Sequence, residues 1–76
     1  MVTAYVLVKA NTGDADRLLT EIGDVEGVVD VHVVAGDVDL IVKLAVESAD
    51  DVKRIVANSI QEIHGVEDTE TYLTMD

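Results

Sequence analysis

The sequence predicts an α+β fold of order βαββαβ: a four-stranded antiparallel sheet with two helices on one face. Three observations carry this expectation. Valine-rich stretches that alternate with a period of two are interleaved with two stretches of helical period. A Gly36-Asp37 turn separates the second valine-rich stretch from the third, as in a hairpin. The chain also repeats itself: Val8-Lys9-Ala10 is echoed by Val42-Lys43-Leu44, and Gly27-Val28-Val29-Asp30 by Gly65-Val66-Glu67-Asp68. The second copy is longer by about one helical turn.

The first strand is expected over residues 2–10. Val2, Ala4, Val6, Val8 and Ala10 face one way, and Thr3, Tyr5, Leu7 and Lys9 the other. Thr12 suits an N-cap, with Asp14 and Asp16 in the favourable first turn. Ala15, Leu18, Leu19 and Ile22 then give helix one over about residues 13–22, stopped by Gly23. Strands two and three are expected over 28–35 and 38–46, joined by a tight turn at Gly36-Asp37. Ser48 and Asp51 form a capping pair. Val52, Ile55, Val56, Ile60 and Ile63 are the apolar stripe of helix two, which His64-Gly65 ends. Strand four is expected over 66–75 and carries Glu67, Asp68 and Glu70, as suits a protected sheet edge. Two βαβ halves joined by a hairpin make the ferredoxin-like split βαβ fold, and right-handed crossovers place strands one and three at its centre.

A chain of 76 residues allows one small domain, and one this small is only marginally stable alone. The absence of Cys excludes disulfides, zinc–thiolate sites and thiol nucleophiles. Oligomerisation is then the expected support. The net charge of −11, from 16 acidic and 5 basic residues, argues against direct binding to nucleic acid or to an anionic membrane. It matches the acidic shell of a halophile protein. With no basic-then-apolar leader and no apolar run near the ~20 residues of a membrane span, a cytoplasmic location is expected.

The sheet face away from the helices is not an ordinary wet face. Tyr5, Leu7, Val34 and Ile41 share it with Lys9, Asp30, His32, Asp39 and Lys43. This mixture of apolar and charged groups predicts a dimer packed sheet to sheet, with Tyr5, Leu7, Lys9, His32, Val34, Ile41 and Lys43 in the interface. Lys9 and Lys43 are expected to be neighbours on the central strands, paired with Asp30 or Asp39. Catalytic chemistry is sparse. Asp37 and Asp39 have no nucleophile or second base nearby, and His32 and His64 lie in different elements with no third metal ligand. No catalytic residue, metal or cofactor is assigned. Ligand capture fits better: the Gly36 hairpin combines carboxylates for an α-ammonium group with backbone N–H groups for an α-carboxylate.

With this order and hairpin in place, the chain resembles the regulatory RAM domain (regulation of amino-acid metabolism) of the Lrp/AsnC transcriptional regulators. The residues that carry the resemblance are Val25-x-Gly27-Val28-Val29-x-Val31, Val34-Ala35-Gly36-Asp37-Val38-Asp39-Leu40 and Ile63-His64-Gly65-Val66-x-x-x-x-Thr71. Met1 leads directly into strand one, so the chain resembles the stand-alone form, and no helix-turn-helix is expected. The resemblance implies face-to-face dimers, octameric or decameric rings, and co-assembly with DNA-binding Lrp/AsnC paralogues. It further implies an amino-acid effector held near Gly36, Asp37, Val38 and Asp39, with Thr71 and Tyr72 of strand four. Val38 stands where the family often carries Tyr. The alternatives are a purely structural oligomerisation partner, an ACT-like amino-acid-binding domain that pairs sheets side by side, and a small dimeric ferredoxin-like enzyme. The 3% aromatic content and the lack of a His/Arg cluster argue against the last.

Overall fold

The computed structural model describes residues 1–11 and 13–76. Its elements are β1 (Val2–Ala10), α1 (Ala15–Gly23), β2 (Val28–Val33), β3 (Leu40–Val46), α2 (Ala49–Ile55) and β4 (Val66–Leu73). All sheet pairings are antiparallel, in the order β2-β3-β1-β4, so β1 and β3 are central as the crossover rule requires.

Strand alternation decides the layers. Ala4, Val6, Val8 and Ala10 of β1 and Leu40, Val42 and Leu44 of β3 are buried beneath Leu18 and Ile22 of α1 and Val52 and Ile55 of α2. Each fully buried Val, Leu or Ile contributes about 1.5–3 kcal/mol. No polar side chain is buried among the described residues.

Several boundaries differ from the expectation. Helix α1 starts at Ala15, not near residue 13, and its N-cap position is Asp14, whose side chain makes no capping bond. Thr12, the expected cap, lies outside the described residues. Gly23 is the last residue of α1 and not its stop signal; Asp24 N–H closes the turn on Thr20 O at 3.2 Å. The reversal is made later, at Gly27, with φ +97°. Helix α2 begins as expected, with Ser48 Oγ accepting from Asp51 N–H at 3.3 Å. It then widens into one π-helical turn over Val56–Ile60, closed by Gln61 N–H on Val56 O at 2.9 Å. This turn buries both Val56 and Ile60, and the helix ends there, short of His64.

His64 therefore does not act as a cation at the end of a helix. Its backbone oxygen accepts from Arg17 Nη2 at 2.6 Å, and Arg17 also pairs with Asp14 and Glu21. One guanidinium thus ties the start of α1 to the segment before β4. The repeat is real in three dimensions: Gly27 and Gly65 hold matching left-handed conformations, φ +97° and +103°, each just before an outer strand.

Candidate functional site

The largest departure from the sequence reading lies at the hairpin. Strand β2 ends at Val33 and β3 begins at Leu40, so the connection is a six-residue loop over 34–39, not a two-residue turn. Val34 N–H donates to Asp39 O at 2.9 Å and closes the loop. Asp39 N–H donates to Val8 O at 2.9 Å, and Asp39 Oδ2 accepts from Ala10 N–H at 2.9 Å. The loop is therefore fastened to the end of β1 by both the backbone and the side chain of Asp39. Gly36 does not adopt a left-handed conformation, and a Cβ there would meet nothing within 4 Å.

This fastening makes a stability prediction. Asp39→Ala leaves the part-buried Ala10 N–H without its acceptor, which costs about 1–3 kcal/mol. Asp39→Asn keeps an oxygen in place and should recover most of the loss. Urea unfolding of the two variants, with hydrogen exchange of the Ala10 amide, checks this.

The strand registers settle which residues share the uncovered face. Tyr5 lies opposite Tyr72 and Lys43, and Leu7 opposite Glu70 and Ile41. Lys9 lies opposite Asp68, His32 opposite Ile41, and Asp30 opposite Lys43. The centre of the face is thus Tyr5, Leu7, Ile41 and Tyr72, rimmed by charges. Leu7 and Ile41 are half-buried, whereas Tyr5 and Tyr72 are exposed.

Two charge expectations are corrected. Lys9 and Lys43 are not neighbours, because Lys43 sits opposite Tyr5, four residues along β1 from Lys9. The Asp30 carboxylate meets His32 Nε2 at 3.0 Å, and neither lysine forms an ion pair among the described residues. Val34 lies in the loop, beyond the end of β2, and is half-buried.

The six residues expected around a ligand do not all come together. Asp37 and Val38 project beside β1 and β4, where they border a depression of about 200 Å³ with Leu7, Lys9, Asp68, Thr69 and Glu70. Sequence reasoning placed Lys9 in the interface only and missed Asp68, Thr69 and Glu70. The signal was the acidic run of β4, whose register against β1 the sequence does not print. Thr71 lies opposite Val6, hence on the helix side, and borders a separate groove with Val52, Val56 and Leu73. Tyr72 is on the uncovered face, and its hydroxyl donates to Glu70. That hydrogen bond, together with the negative charge of Glu70, raises the tyrosine pKa above its ordinary value.

A model of the Lrp/AsnC ligand binding domain matches residues 3–76. The chain belongs to this family. An HTH-type transcriptional regulator of Pyrococcus abyssi is 36% identical over 77 residues, covering 97% of this chain and 51% of that protein. The chain thus spans about half the length of the curated relatives it matches. A crystal structure from Thermus thermophilus superposes with a TM-score of 0.95 at 29% identity, covering 100% of this chain and 95% of the other. A transcriptional regulator of Neisseria meningitidis, solved as a complex with L-Met, shares the fold, with a TM-score of 0.87 at 16% identity over 99% of this chain and 50% of its own. The matched family is thus a ligand-binding domain, and the curated relatives that contain it are HTH-type transcriptional regulators. No helix among the described residues is long and apolar enough to cross a membrane.

Proposed function

We propose that this Lrp/AsnC domain is an amino-acid-sensing regulatory module that associates through its uncovered sheet face. In this reading it modulates transcription through DNA-binding Lrp/AsnC-type partners and does not touch DNA itself. The observation that carries the sensing role is the hairpin depression. Lys9 and Asp37 present opposite charges around the apolar side chains of Leu7 and Val38. A zwitterionic amino acid needs this pairing: an ammonium for its carboxylate and a carboxylate for its ammonium. The L-Met complex of the Neisseria regulator supports an amino acid as the ligand class for the fold.

The association role rests on the face itself. Two tyrosines, Leu7 and Ile41 form an apolar centre with a charged rim, the anatomy of a protein interface. Sheet-to-sheet dimers built this way would assemble further into octamers or decamers. The net charge of −11 favours regulation through a protein partner over contact with phosphates.

A thermal-shift panel of the twenty amino acids, run in dilute buffer and in multimolar KCl with light scattering in parallel, tests the proposal. The expected result is an assembly larger than a monomer, stabilised by a small subset of the panel. A ligand present at a hundred times its Kd adds about 2.7 kcal/mol, a readily measured shift for so small a domain. An assembly that no amino acid stabilises would remove the sensing role; a soluble folded monomer would remove the association.

A further inference from the structure

We propose that the hairpin depression selects a basic amino acid, one with a second cationic group on its side chain, such as lysine, ornithine or arginine. This deepens the sensing role above and rests on it. The argument is the balance of charge around the depression and the position of each charge. Three carboxylates (Asp37, Asp68 and Glu70) face one ammonium, Lys9. A ligand carboxylate placed on Lys9 and an α-ammonium placed on Asp37 still leave two carboxylates unmatched.

Those two carboxylates are in different states. Glu70 already accepts the Tyr72 hydroxyl. Asp68 uses one oxygen, Oδ1, on the N–H of Thr69 at 2.9 Å, and its other oxygen meets no donor among the described residues. It also sits directly opposite Lys9 across the β1–β4 ladder without an ion pair to it. A ligand whose carboxylate lies on Lys9 therefore has Asp68 alongside, within reach of a side-chain cation. A neutral side chain there would desolvate a carboxylate without replacing its hydration. An acidic one would add like-charge repulsion.

The preference is local. The apolar groove under α2, lined by Val52, Val56, Ala57 and Leu73, has Lys53 as its one charged residue and offers a cation no carboxylate. The wider negative field of the chain draws cations toward the surface, but it does not distinguish a diamine from a basic amino acid. Lys9 makes that distinction, because a diamine has no carboxylate to place on it.

Isothermal titration of the full chain at one fixed ionic strength tests this with L-lysine, L-arginine, L-leucine, L-methionine, L-glutamate and the diamine cadaverine. Lysine and arginine are expected to bind at least about tenfold more tightly than leucine or methionine, the difference one charge-assisted hydrogen bond makes. Glutamate and cadaverine are expected to bind most weakly. Asp68→Asn keeps an oxygen for Thr69 N–H, so the strand is retained, and should remove most of the basic preference, weakening lysine and arginine while relieving the desolvation that opposes leucine. Lys9→Met should weaken every amino acid and, by removing a like charge, strengthen cadaverine.

The opposing outcomes separate cleanly. Neutral amino acids binding as tightly as lysine would overturn the basic class and leave amino-acid sensing standing. Cadaverine binding as tightly as lysine would reduce the effect to general attraction of cations, and would also overturn it. Binding by none of the five amino acids would overturn this inference, while the panel of twenty decides the sensing role.

Discussion

Ile41→Glu is expected to turn the associated protein into a folded monomer. Ile41 stands at the centre of the uncovered face, opposite Leu7 on one side and His32 on the other, and its side chain points away from the helical layer. The substitution therefore leaves the core untouched and acts on the interface. In a two-fold sheet-to-sheet dimer each face is used by both copies, so a single change is felt twice. Each copy forfeits part of the 1.5–3 kcal/mol that burying an isoleucine supplies, and places a carboxylate where no cation is held in a pair. The loss is at least about 3 kcal/mol per dimer, roughly a hundredfold in dissociation constant. Thr20→Glu adds the same charge on the exposed surface of α1 and should leave the mass unchanged. Light scattering of both variants, with circular dichroism to confirm folding, provides the check. An Ile41→Glu protein that keeps the wild-type mass would show that this face is not the one that associates.

Gly27→Ala is expected to destabilise the fold by about 3 kcal/mol. Two costs add at this position. The backbone holds φ +97°, where any side chain is strained by about 1–3 kcal/mol. A Cβ would also stand 2.8 Å from Ile55 Cδ1 and 3.1 Å from Val46 Cγ1, so the core must shift to admit it, at a further 1–3 kcal/mol. Gly65 is its counterpart in the repeat and provides the control. Its φ is +103°, but the Cβ there would meet the outer ends of Arg17 and Asp14, at 2.6 and 3.0 Å. Those side chains can swing into solvent, so Gly65→Ala should cost less than Gly27→Ala. For a domain of this size 1 kcal/mol moves Tm by roughly 4–8 °C, so calorimetry should separate the two variants. Equal losses would mean that backbone strain alone sets the cost.

Both positions matter for the proposed site. Gly27 lies just before β2, and the bulge that follows, between Val28 and Asp30, leaves Asp30 and His32 on the uncovered face. Ile41 shares that face with Leu7, which also lines the depression. An effector bound there would lie at the margin of the proposed association surface.

Much of this architecture is legible in the sequence because it is local. The two-residue alternation of β1 puts Ala4, Val6 and Val8 on the helix side and Tyr5, Leu7 and Lys9 on the other, and the structure agrees residue by residue. The repeated Gly-Val pairs mark the outer strands, and both glycines adopt the left-handed conformation that only such residues take easily. Ser48 caps its helix because capping needs only residues within one turn of each other. Pattern, punctuation and capping are short-range properties, so the element order, the sheet's two faces and the family resemblance follow from sequence.

Tertiary structure alone decided the rest. Gly36-Asp37 reads as a tight turn, yet the loop is longer because Asp39 is drawn to the N–H of Ala10, 29 residues earlier, and no local signal encodes that partner. His64 reads as a helix-end cation, yet its carbonyl is held by Arg17, 47 residues away. Thr71 and Tyr72 read as one binding pair; pleating alone separates them, and the docking of β4 on β1 decides that Tyr72 takes the uncovered face and Thr71 the helix side. The same docking brings Asp68 beside Lys9 and creates the depression. The sequence determined which residues face which way along each strand. Which strands lie side by side, and in what register, was settled by long-range packing, and on that register the candidate site depends.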